Sequence, residues 1–238
     1  MGLHFEREVA RIKKRILALG ALVEENMHKA FVALERRDVE LAKEVIATDV
    51  TIDQTEVEIE EDCLKILALH QPVASDLRFI VAVSKINNDL ERIGDLSANV
   101  CARTIELAKV ERISIPTTML VMAERIEAML ARTLDALIDV DAAMARRVLL
   151  DDREVDDLFA RLIAELKSEI RAHIDLLDPL IVVFTVARYL ERMADRMTNI
   201  CEDIIYMADG EIVRHQDPSA VDELLEQEQA REAADQTT

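Results

Sequence analysis

Apolar side chains recur every three to four residues through almost the whole chain, the spacing that puts them on one face of an α-helix. The stripe Ile12, Ile16, Leu19, Val23, Met27, Leu34 predicts a first helix over about residues 5–34. Asp38 offers a side-chain cap for a second helix to about residue 70, in which Val45, Ile52, Ile59 and Ile66 return every seventh position. Gln71-Pro72 turns the chain. A third helix then runs to about residue 109, stepping alternately by four and three from Phe79 through Leu90 and Ile93 to Leu107, as long bundle helices do. Ser114-Ile115-Pro116 separates the halves, and Thr117 or Thr118 can cap a fourth helix to about residue 137. A fifth is expected from Asp141 to about residue 173. A sixth follows, with Asp178-Pro179 in or next to the turn, and ends near Gly210. Pro72, Pro116, Pro179 and Pro218 punctuate the periodic stretches. The fold class expected is all-α.

The two halves repeat each other. Residues 90–101 read LERIGDLSANVC, and residues 190–201 read LERMADRMTNIC. Asp38, Ala42, Val45, Asp49 and Asp53 recur 103 positions later as Asp141, Ala145, Val148, Asp152 and Asp156, the difference of three falling in a turn. The architecture this predicts is two tandem, pseudo-symmetric, antiparallel three-helix bundles, residues 1–113 and 114–214. Residues 215–238 read as an acidic, flexible tail in which 221–230 could form a short helix.

The repeat carries chemistry. Glu91, Asp95 and Asn99 fall four apart and share one helical face, as do Glu191, Asp195 and Asn199. In an antiparallel hairpin turning at Pro72, Asp49 is level with Asp95 and Asp53 with Glu91. A hairpin turning at His173-Ile174 pairs Asp152 with Asp195 and Asp156 with Glu191 in the same way. Each half therefore gathers four carboxylates at one height, beside the apolar seam and near the surface. Four like charges repel unless a cation joins them or some are protonated. Hard, oxygen-preferring divalent ions suit such a donor set, and Asn99 and Asn199 could add carbonyl oxygens. The competing reading is a solvated acidic face neutralised by Arg92, Arg188, Arg192 and Arg196.

Composition narrows the classes. The formal net charge of −19 repels phosphate backbones and no basic stripe offsets it, so nucleic-acid binding is not expected. No run of about eighteen apolar residues occurs, and the charged start does not read as a signal peptide, so a soluble, intracellular chain is expected without membrane insertion. Cys63, Cys101 and Cys201 lack paired spacing and read as small core residues. Glu25-x-x-His28 matches half of a ferritin-like di-metal signature, but without a second copy it reads as surface. Gly94 and Ala194 are small in mid-helix, which points to a close helix neighbour. No phosphate-cradling loop, nucleophile triad or activated cysteine appears, so enzymatic activity is not expected. The alternative is a metal-dependent carboxylate-cluster enzyme on a helical bundle.

The two LER-x-x-D copies, the stretch QPVASDLR at residues 71–78 and NICED at 199–203 resemble the PhoU family, called PhoY in actinobacteria. The resemblance covers about residues 5–210 and implies two three-helix bundles related by a pseudo-twofold axis. It implies a cytoplasmic negative regulator of phosphate uptake and the phosphate-starvation response, recruited to the inner face of the membrane through a transporter. The partners implied are the ATPase subunit of a phosphate ABC transporter and a sensor histidine kinase, with a homodimer expected. The family's E(D)-x-x-x-D motif holds multinuclear metal clusters, iron in some members. It falls on Asp49/Asp53, Glu91/Asp95, Asp152/Asp156 and Glu191/Asp195. Asn99, Asn199 and Asp203 are candidate further contacts for metal or partner. The second half has Asp178-Pro179-Leu180 where the first has QPVASDLR, so the two sites need not be equivalent.

Overall fold

The computed structural model describes residues 3–110 and 113–213; the expected tail lies outside them. Six long helices account for most of the described residues: α1 (Leu3–Arg36), α2 (Val39–His70), α3 (Ala74–Leu107), α4 (Thr117–Asp139), α5 (Ala142–Ala172) and α6 (Leu177–Asp209). One short 3₁₀ turn, Ile174–Leu176, leads into α6.

The helices stop and start where local chemistry dictates. Asp38 Oδ1 accepts hydrogen bonds from the N–H groups of Glu40 and Leu41, both at 3.0 Å, and Asp141 Oδ1 accepts from Met144 N–H at 2.9 Å. The turns before these caps are duplicated to the backbone. Arg37 and Val140 each adopt a left-handed conformation (φ 54° and 52°), while Asp38 and Asp141 N–H donate to Ala33 O and Ala136 O. These bonds satisfy carbonyls that a helix end leaves open. Gln71 ends α2 in the same region, at φ 46°. Two expectations shift. Pro116 itself occupies the cap position of α4 without a side-chain bond, so neither Thr117 nor Thr118 caps it. Pro179 lies inside the first turn of α6, where a missing N–H costs nothing.

Each bundle closes around its seam, with Val45, Ile52 and Ile59 of α2 against Val83, Ile86, Leu90 and Ile93 of α3, all fully buried. The bundles do not stop there. The buried side chains of both halves form one continuous apolar core. Long contacts run between α3 and α6, which are antiparallel, and between α1 and α4. Besides its own seam, α3 buries Ala82, Asp89 and Leu96, a second row seven residues apart that faces α6. Among the described residues no helix is long and apolar enough to cross a membrane.

Candidate functional site

The α2–α3 hairpin brings the first carboxylate set together. Asp49, Asp53 and Asp95 each present one oxygen within 4.8 Å of the others. Gly94 makes this possible. A Cβ there would meet Ile52 Cδ1 and Cγ2 at 3.1 Å and Asp49 Oδ1 at 3.3 Å, so the absent side chain is the space that Asp49 leans into. Asp49 Oδ1 is buried and makes no hydrogen bond. Burial, then the charges of Asp53 and Asp95, push the Asp49 carboxyl up to about 6. Glu91 stands one turn before Asp95. Its Oε2 is buried, 3.3 Å from Arg92 Nε but outside hydrogen-bond geometry. Burial and Asp95 raise Glu91 to about 7, while Arg92 pulls the other way. Arg92 Nη1 donates to Asp95 Oδ2 at 3.0 Å, so one guanidinium serves this cluster and does not neutralise it.

The second set is built alike on α5 and α6. Burial first, then Asp156, Asp195 and Glu191, raise Asp152 to about 7. Asp156 is raised by burial and Asp195, and Glu191 by burial and Asp195 against the pull of Arg188 and Arg192. Glu191 Oε2 is another buried oxygen without a hydrogen bond. Among the described residues, however, no trio here is as tight as Asp49, Asp53 and Asp95.

Asn99 is exposed one turn beyond Asp95. Asn199 and Asp203 serve the α3–α6 contact instead of the carboxylate cluster. Asn199 Nδ2 donates to Asp89 Oδ1 at 3.5 Å, and Asp203 Oδ1 accepts from Lys85 Nζ at 3.2 Å. Arg196, weighed as a neutraliser of the acidic face, donates to Asp89 Oδ1 at 3.2 Å across the same seam. In the sequence the only trace of that seam is the seven-residue spacing of Ala82, Asp89 and Leu96 on α3, since Gly94 faces α2 instead. His28 is exposed and pairs with Glu127 of α4 at 2.8 Å. The three cysteines are buried, and burial pushes each thiol up to about 12, so none is a nucleophile.

Oxygen-only donors, a tight acidic trio and buried carboxylate oxygens without hydrogen bonds fit a hard cation. The model of the PhoU domain matches the chain twice, over residues 16–104 and 119–204, and each match contains one four-carboxylate set. The chain belongs to the PhoU family. It is 33% identical over 221 residues to the phosphate-specific transport system accessory protein PhoU of Serratia marcescens, covering 93% of this chain and 91% of that one. It is 37% identical over 210 residues to a PhoU homolog of Aquifex aeolicus, covering 88% and 95%. PhoU from Pseudomonas aeruginosa has a similar crystal structure, with a TM-score of 0.83 at 34% identity, covering 87% of this chain and all of that one. The PhoU duplication is therefore present here in full, with both pairs of acidic dyads at matching places in the two repeats.

Proposed function

We propose that this chain is a cytoplasmic, non-enzymatic regulator of phosphate transport, a negative regulator of uptake and of the starvation response. In this reading it links the ATPase subunit of a phosphate ABC transporter to a sensor histidine kinase. The observation that carries the proposal is the duplicated carboxylate face on a twofold-repeated PhoU scaffold whose relatives bear the name of transport accessory proteins. Asp49, Asp53, Glu91 and Asp95 would hold one divalent ion or iron cluster, and Asp152, Asp156, Glu191 and Asp195 another. A bound cation supplies charge neutralisation, making docking at this face depend on occupancy. The exposed apolar row Ile174, Leu177, Ile181 and Phe184 supports a homodimer.

Crosslinked pull-down from phosphate-replete cells tests this. Capture of a transporter ATPase or a sensor kinase, weakened by Glu91→Arg or Glu191→Arg, is the expected result. Recovery of neither, with metal present in the purified protein, sinks the adaptor reading. The enzyme reading has in its favour that Glu91 and Asp152 titrate near neutrality, where a carboxyl can exchange protons. Metal-dependent turnover lost in Glu91→Gln and Glu191→Gln would support it.

A further inference from the structure

The far end of α2 holds a different donor set. His4 and Glu8 lie one turn apart at the start of α1, and His70 is the last residue of α2. Glu8 stands between the two imidazoles, with Oε2 at 2.6 Å from His70 Nε2 and Oε1 at 3.6 Å from His4 Nε2. One ligand atom from each residue lies within 4.8 Å of the other two. The His70 ring is held edge-on by Phe5, with centroids 5.4 Å apart, and by His4 at 5.8 Å. The Glu8 and His70 side chains are only 19% and 22% exposed, whereas His4 is 78% exposed. Two ligands are thus preset by packing, and the third can swing onto an ion from solvent.

Two imidazole nitrogens and one carboxylate oxygen are the donors that borderline ions of the Zn²⁺ class choose in sites with an open position. The all-oxygen sets on the bundle faces lack nitrogen altogether, and Asp53, the nearest of them along α2, is roughly 25 Å away at ~1.5 Å rise per residue. We propose that His4, Glu8 and His70 bind one divalent transition-metal ion, clamping the start of α1 to the end of α2 beside the Gln71-Pro72 turn. Without metal, the short Glu8–His70 contact needs a proton between its partners. The ion takes that place and the imidazole keeps its proton on the other ring nitrogen, so acid, by protonating the imidazoles, competes with binding.

The test uses the full-length, tag-free protein, stripped with a chelator and titrated with Co²⁺ in excess Mg²⁺, which competes for the oxygen sites. Four-coordinate cobalt with nitrogen ligands absorbs strongly in the visible, and six-coordinate cobalt on oxygen weakly. We expect an intense band that saturates at one equivalent and is displaced by Zn²⁺. It should vanish in His4→Ala and His70→Ala yet persist in His28→Ala and Glu91→Gln. His4 is too exposed for its removal to disturb folding, and an unchanged metal-free melting temperature checks this. A weak spectrum alone in the unmodified protein, or an intense band surviving in both His4→Ala and His70→Ala, overturns the proposal.

Discussion

Asp152→Asn should stabilise the metal-free protein, although it alters a residue proposed to hold metal. In the folded chain Asp152 is raised from 3.8 to about 7, chiefly by burial and then by Asp156, Asp195 and Glu191. A carboxyl raised on folding adds stability below its unfolded value, and that contribution is lost as pH climbs through the folded value. The shift corresponds to about 4 kcal/mol at ~1.36 kcal/mol per unit. Solvent screening of a half-buried group and shared titration among four acids reduce this to about 1–2 kcal/mol. The amide carries no charge at any pH. In chelator at about pH 8 the variant should therefore melt roughly 4 °C higher, the gap closing toward about pH 4 where Asp152 itself is neutral. Added Mn²⁺ should reverse the order, because the native carboxylate gains an ion that the amide holds poorly. Thermal melts across this range decide it. A variant no more stable than the parent at the alkaline end, or equally favoured at both ends, refutes the electrostatic account.

Three further changes probe the framework. Gly94→Val pushes three carbons into Ile52 and Asp49, so urea unfolding should show a loss of about 2–3 kcal/mol, with weaker metal uptake by the first carboxylate set. Arg196→Met removes a cation from the largely buried Asp89 and should cost about 2 kcal/mol, measured the same way, with Asp89→Asn in the same chain restoring part of it. Leu190→Ala opens a cavity at a fully buried seam position, and denaturant melts should register a loss of about 3 kcal/mol.

The hairpin geometry was open to reading because it is local. A helical period fixes which residues share a face, and a turn of known position fixes which residues of two antiparallel helices are level. Asp49 and Asp95 could thus be paired through Pro72, and Gly94 recognised as the place of close approach, before any coordinate was known. The caps at Asp38 and Asp141 were legible for the same reason, since an N-cap depends on a few adjacent residues. Pro179 was harder, because proline fits equally well before a helix and within its first turn.

Other features depended on the chain as a whole. The sequence by itself determined six helices, two repeats and two sets of four carboxylates. Tertiary structure alone joined the bundles into one core along α3 and α6, sent Asn199, Asp203 and Arg196 to that seam, and set His4 beside His70. The physical reason is separation along the chain. Periodicity and turns bind partners that are near in sequence, whereas Asp89–Arg196 and Glu8–His70 are chosen by which faces remain uncovered once each hairpin has closed.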